Sequence, residues 1–224
     1  MKFKNTEVFN FEGALRGMRN PMNSWDKSDS KYWLPNENIE EYGKRVNANV
    51  AWTPYHIGEK DMELAKKLIR GGSVHAKFLR QIMVTVDITA PLYWWKEFDT
   101  YKVGTVANST STMHKLATTP ITIDSFEMDD HDSNFMVINY NSLILALEHL
   151  RIMYLDTKDI RYWKELIRWL PEGWLQTRTV TMNYENLRNM YHWRKNHKLI
   201  EWRRFCDEWI KLLPYAEEFI TWEN

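Results

Sequence analysis

From Glu59 to Arg70 the apolar side chains Met62, Leu64, Ala65, Leu68 and Ile69 fall at helical spacing, and Gly71 and Gly72 follow directly. That pattern predicts an amphipathic helix with a glycine stop. The next run, Gln81 to Thr89 (QIMVTVDIT), is β-branched, and such side chains pack well on a pleated surface, so it predicts a strand. Pro91 fits the first turn of a helix, where its missing N–H has no partner to lose. The strand therefore feeds a helix over Leu92 to Thr100. The polar stretch Gly104 to Thr112 (GTVANSTST) ends that helix in residues that favour turns and caps, and it reads as a functional loop.

Beyond it the pattern is almost entirely helical. Helices are predicted over Asn134 to Leu155, Asp159 to Leu170, Asn183 to Trp193 and His197 to Leu213, with a short segment after Pro214. Pro171 and Gly173 break the series, and Gln176 to Thr181 (QTRTVT) reads as a short strand or extended turn. Residues 1–56 carry no sustained period and are rich in Asn, Ser, Asp and Pro, so they read as an irregular segment with short helical pieces. The expected fold is α+β: one helix-rich domain over residues 1–224 with a small antiparallel sheet.

Composition narrows the function classes. Lys plus Arg and Asp plus Glu both number 30, so the net charge provides no long-range pull toward nucleic acid or an anionic membrane. The basic run KNHKLIEWRRF is the one feature that points to DNA, and it reads first as a solvated helix face. No apolar run reaches the roughly 20 residues that span a bilayer. Cys206 is the single cysteine, which excludes an internal disulfide, and it reads as buried and inert. The opening residues lack the apolar stretch of a secretory signal, so the expected location is the cytoplasm. The 12 Trp, 11 Tyr and 9 Phe exceed what a small core needs and suggest thick helix packing, large interfaces or a flat ligand.

Candidate chemistry lies in polar side chains. No GxGxxG or GxxxxGK run occurs, so a bound nucleotide must be held by Arg, Lys, Ser and Asn rather than by a backbone cradle. The acidic patch with Asp129, Asp130, His131 and Asp132 lacks the alternating oxygen ligands of a calcium loop. His192 and His197 stand five apart, where a zinc pair on one helix face needs four. No metal site is expected. Two segments remain: Lys96 to His114 and Asn183 to His197.

These two segments resemble the ThyX-type flavin-dependent thymidylate synthases. The family's strand, Ala-Pro helix start and RHRxxSxNExSxRY motif are matched in layout by VTVDITAP followed by TYKVGTVANSTSTMH. Allowing one inserted residue, the arginine-histidine-arginine triplet falls on Thr100, Tyr101 and Lys102, and the first serine on Thr105. The Asn-Glu pair falls on Asn108 and Ser109, the second serine on Ser111 and the last arginine on Met113. Downstream, the family's arginine and Leu-Pro resemble Arg168, Leu170 and Pro171, and without a gap Asn183, Asn189 and Arg194 follow. His197 is similar to the family's next histidine with one residue deleted. The resemblance spans roughly residues 57–213.

The resemblance implies reductive methylation of dUMP to dTMP, with FAD carrying hydride, methylenetetrahydrofolate donating carbon and NADPH reducing the flavin. It implies nucleotide contacts at Glu97, Ser111, Arg168 and Arg194, with Ser111 and Arg194 nearest the chemistry. It implies flavin contacts at Lys102, Thr105, Asn108, Asn183, Asn189 and His197, and a homotetramer. The altered motif also leaves open a different C5 modification or a catalytically silent nucleotide-binding or scaffold relative. From the residues alone, Asn183 and Asn189 equally read as helix caps, Arg194 as part of a solvated basic face, and Trp94 and Trp95 as core or interface.

Overall fold

The computed structural model describes residues 1–33, 53–129 and 133–223. The chain opens with strand β1 (Lys2–Phe9) and helix α1 (Phe11–Arg19). Strands β2 (Lys31–Tyr32) and β3 (Tyr55–His56) then pair antiparallel, with Lys31 opposite His56. Helix α2 (Glu59–Arg70), β4 (Met83–Pro91), α3 (Leu92–Phe98), β5 (Val106–Ser109) and the short α4 (Thr112–Lys115) follow. The remainder is α5 (Ser133–Thr157), α6 (Ile160–Arg168), β6 (Leu175–Asn183), α7 (Tyr184–Arg194), α8 (Ile200–Arg204) and α9 (Ala216–Phe219). The main sheet has the order β1-β4-β6-β5. This is the helix-rich α+β fold with a small antiparallel sheet that the residue pattern predicts.

Strand β4 shows why its sequence makes a sheet. Val84, Val86, Ile88 and Ala90 are fully buried, and the residues between them are half-buried, the period-2 alternation of a strand with one apolar face. The polar face forms a hydroxyl ladder with β6: Thr85 to Thr181 at 3.0 Å and Thr89 to Thr177 at 2.7 Å. The two pairs step in opposite directions along the strands, which defines an antiparallel register. Asp87, between them, accepts from Thr179 at 2.6 Å and from Asn5 at 2.7 Å.

Contacts group the chain into two units, and the division falls inside β4 and β6. The first comprises residues 1–2, 88–100 and 108–178. Its core is Leu116, Ile121, Phe126, Leu147 and Leu166, with Tyr140, Leu143, Ile144 and Trp174 packed against it. Two charged groups tie the turn after α4 to α5. Glu148 accepts from the Ile121 N–H at 2.8 Å and from Arg151, while Arg151 donates to the Ala117 carbonyl at 3.2 Å.

The second unit comprises residues 3–87, 101–107 and 179–224. It is built on aromatic pairs, among them Phe11 with Tyr184 at 5.7 Å and Phe3 stacked on Trp209 at 5.6 Å. Phe78 meets Phe219 at 5.7 Å, and Trp202 meets Phe205 at 5.7 Å. Most of the aromatic surplus is thus core packing, each ring contributing both area and edge-to-face geometry. Asp61 is fully buried yet satisfied, because Arg19, Ser28 and Ser30 all donate to it. Asp29 accepts from the Lys60 and Asp61 N–H groups and so caps α2, whose own flanking residue, Gly58, has no side chain to do it.

The structure corrects three sequence expectations. Residues 2–19 are not irregular but a strand and a helix. Asn5 takes a positive φ of 51° and interrupts the strand alternation, while two glycines disguise α1. One of them, Gly17, faces the end of the Gln81 side chain, whose Oε1 would lie 2.7 Å from a Cβ there and would have to shift. The rest of that expected irregular segment, 34–52, lies outside the described residues. The polar loop after α3 contains strand β5 and the cap of α4. The helix expected from His197 to Leu213 starts only at Ile200, widens into a π-turn over Phe205–Trp209 and tightens into a 3-10 turn over Ile210–Leu212. This local change of pitch keeps Trp202, Phe205, Cys206, Trp209 and Ile210 all inside. In the same core, burial pushes the Cys206 thiol up to about 12, which makes it inert near neutral pH.

The Glu148–Arg151 pair predicts a pH effect. The Arg151 hydrogen bonds, the largest cause, hold the Glu148 carboxyl below the usual carboxylate range. A carboxyl depressed in the folded state stabilises fully above its unfolded value of about 4.3, and the contribution is lost as pH falls through the lower folded value. Glu148→Gln should cost about 1–3 kcal/mol in urea unfolding at pH 7, and the gap from wild type should close toward pH 3. A gap that stays constant with pH would contradict this role.

Candidate functional site

In the second unit the turn after α3 is fastened to α7. Asn183 caps α7: its Oδ1 accepts the Asn186 N–H at 3.0 Å, and the Asn186 Oδ1 accepts the Asn183 N–H at 3.2 Å. This reciprocal capping box satisfies two otherwise orphaned donors. Asn186 then reaches outward, donating from Nδ2 to the Val103 carbonyl at 2.7 Å. Gly104 follows at φ 77°, and a Cβ there would lie 2.9 Å from both Asn183 Nδ2 and Asn186 Oδ1. Both the left-handed backbone and the close approach require glycine.

The other end of α7 meets the start of the same turn. Arg194 donates from Nε to the Tyr101 hydroxyl at 2.8 Å. Its guanidinium lies 4.8 Å from the centre of the buried Trp202 ring and 5.5 Å from that of Tyr101. Thr105 donates from its hydroxyl to the Tyr101 carbonyl and closes the turn on itself. An 11-residue helix is about 16 Å long, so the turn is held near both ends of α7. Lys102 and Asn189 are exposed, as is Trp193 at 77%. His197 lies in the turn between α7 and α8, its Nδ1 accepting the Leu199 N–H at 3.2 Å and its ring 6.4 Å from that of Trp202. The ring thus sits at a helix end beside an aromatic side chain.

The first unit holds the other candidate residues. Trp94 and Trp95 are fully buried, so their role is core. Trp95 donates to the Gln176 carbonyl at 3.0 Å, and the Arg178 guanidinium lies 4.2 Å from the Trp95 ring centre. Arg178 is further fixed by Gln176 at 2.9 Å and Asp99 at 2.7 Å. Gln176 also donates to the Thr110 carbonyl at 3.0 Å, which carries the order one residue short of Ser111. Ser111 caps α4 by accepting the His114 N–H at 3.2 Å. A hydroxyl that accepts in this way still has its proton to donate. Asn108 is exposed on β5, Glu97 is half-exposed on α3, and Arg168 is exposed and paired with Glu165.

Sequence reasoning missed Tyr101, Asn186 and Trp202 as structural partners of Arg194 and of the turn, and missed Arg178 as an oriented cation. No local spacing links Tyr101 to Arg194. The signal for Asn186 was present, since an Asn three residues after an Asn cap is a capping-box pattern. Among the described residues, no three His, Cys, Asp or Glu side chains gather to hold a metal, and no helix is long and apolar enough to cross a membrane. Asp130, His131 and Asp132 lie outside the described residues.

Comparison with solved structures defines the fold class. The chain is similar to the flavin-dependent thymidylate synthase ThyX of Helicobacter pylori solved with FAD and dUMP. The TM-score is 0.66 and the identity 18%, over 99% of this chain and 98% of that one. A second structure of the same enzyme with FAD and dUMP gives a TM-score of 0.68 at 18% identity, over 99% and 97% of the two chains. At that identity the likeness speaks for the fold. No protein-family model matches the chain, and no curated protein matches its sequence.

Gly104→Ala tests the fastening of the turn. It forces a side chain into a left-handed position and toward the Asn183 and Asn186 amides, and should destabilise the protein by about 1–2 kcal/mol in chemical denaturation. A variant as stable as wild type would show that the turn moves away without cost.

Proposed function

We propose that the chain is a flavin-dependent thymidylate synthase-like enzyme, converting dUMP to dTMP with methylenetetrahydrofolate and NADPH. The observation that carries this reading is the fastening of the Tyr101–Thr105 turn to α7, in a fold that runs nearly end to end with FAD- and dUMP-bound ThyX. Ordered polar side chains on a fixed turn and helix are what a site without a glycine-rich phosphate loop requires.

The donor set fits a flavin. Carboxamides both donate and accept, which matches the alternating carbonyl and N–H edge of an isoalloxazine, and a lysine ammonium supplies a cation beside it. Lys102, Thr105, Asn108, Asn183, Asn189 and His197 would hold the cofactor. Of these, Lys102, Asn108 and Asn189 are exposed. When bound, FAD supplies hydride chemistry that no side chain can perform.

The chain's own residues then bind and orient the nucleotide. Arg194 and Arg168 offer planar forks for a phosphate or a pyrimidine carbonyl. Ser111 would donate its remaining hydroxyl proton, and Glu97 is the further proposed nucleotide contact. No covalent serine step is required. A homotetramer in the cytoplasm is the proposed assembly, and the exposed apolar side chains Leu145, Ile152, Ile160 and Trp169 provide surface for subunit contacts.

One set of observations favours a second reading. Thr100, Tyr101, Ser109 and Met113 replace charged or histidine positions of the motif that this chain resembles, which fits a silent nucleotide-binding relative or an enzyme with another C5 product. A single experiment separates these. Protein purified with or reconstituted by FAD should show flavin absorbance and turn dUMP into dTMP when given both co-substrates. Arg194→Ala should retain FAD and weaken dUMP binding by about 10–100-fold, as expected for loss of a charge-assisted hydrogen bond. Colourless protein that takes up no FAD would overturn the enzyme reading, and flavin-loaded protein that makes a different pyrimidine nucleotide would replace the product.

A further inference from the structure

We infer that Tyr101 is the positioning residue that sets the orientation of Arg194 for nucleotide binding, an inference that rests on the proposed role of Arg194. A free arginine side chain samples many rotamers, and ordering it on ligand binding costs affinity. Here the ordering is built in before any ligand arrives. The Tyr101 hydroxyl accepts the Arg194 Nε–H at 2.8 Å, which fixes the in-plane rotation of the guanidinium. The Trp202 ring, at 4.8 Å, and the Tyr101 ring, at 5.5 Å, pack against the guanidinium and limit its movement. The two rings are themselves packed edge to face at 6.0 Å, and Trp202 is fully buried.

The chemistry requires an acceptor at position 101. A guanidinium Nε–H is a donor only, so its partner must offer a lone pair, and the Tyr101 phenol does so while remaining neutral. A neutral acceptor adds no charge of its own beside the guanidinium, whereas a carboxylate at that point would compete with a phosphate. The turn holds the phenol in place through Thr105 on the Tyr101 carbonyl and Asn186 on the Val103 carbonyl. Tyr101 thus links the exposed Lys102 beside it to Arg194 across 93 residues of sequence.

Tyr101→Phe tests this by removing only the hydroxyl. The dUMP dissociation constant should rise about 10-fold, consistent with loss of one hydrogen bond to a charged group, while FAD content and melting temperature stay close to wild type because Asn186 and Thr105 still hold the turn. In an Arg194→Ala background, Tyr101→Phe should have no further effect on dUMP affinity, an outcome that a merely structural hydroxyl would not give. A second readout uses the unsubstituted protein. Its Arg194 Nε–H resonance, assigned by its loss in Arg194→Lys, should exchange slowly with solvent before nucleotide is added. A Tyr101→Phe variant that binds dUMP as tightly as wild type, or an Nε–H that exchanges as fast as exposed arginines, overturns the inference alone. Wild type with no dUMP affinity overturns the functional reading and this inference with it.

Discussion

The hydrogen bond from Arg194 to Tyr101 is the contact on which the functional reading depends. It orients Arg194, at the C-terminal end of α7, against a turn that lies about ninety residues earlier. At the other end, the Asn183–Asn186 capping box does double duty: it starts α7 and holds the Val103 carbonyl. A helix clamped at both ends against one turn is a rigid base for side chains that must hold flat ligands. This is preorganisation achieved with side chains, in a protein whose sequence has no glycine-rich phosphate loop.

The same economy explains the aromatic content. Trp94, Trp95 and Phe98 fill the interior behind α3, and Phe3, Phe205 and Trp209 do so beside the C-terminal turns. Two interior rings, Trp95 and Trp202, also carry a cation on one face, Arg178 and Arg194 respectively. Core packing and charge placement are thereby coupled, since the ring that fills the core also fixes the direction of an arginine. A substitution at either tryptophan would disturb both at once.

Much of this was legible in the residues, for identifiable physical reasons. Helix α2 has an unbroken 3.6-residue apolar stripe and a glycine stop, and β4 has β-branched residues in a continuous run. Both formed where the pattern placed them, with β4 shifted two residues to Met83–Pro91. Strand β1 was not legible, because Asn5 breaks its alternation, and α1 was hidden by glycines that serve close packing. The pitch change over Phe205–Trp209 was invisible for another reason: it is imposed by tertiary packing of large rings, which local propensity does not encode. At the candidate site, residue types and chain order were readable, and the caps at Asn183 and Ser111 were foreseeable from their chemistry. The Tyr101–Arg194 bond was not, since nothing in the local sequence of either residue refers to the other.

The central claim is that the exposed face of this clamped turn and helix receives a flavin beside a pyrimidine nucleotide. A crystal structure of the protein grown with FAD and dUMP tests it most directly. The isoalloxazine should lie against Lys102 and Asn189 and the nucleotide should engage Arg194, with the Arg194–Tyr101 bond retained. Ligands bound elsewhere, or a complex in which Arg194 leaves Tyr101 and touches neither ligand, would contradict it.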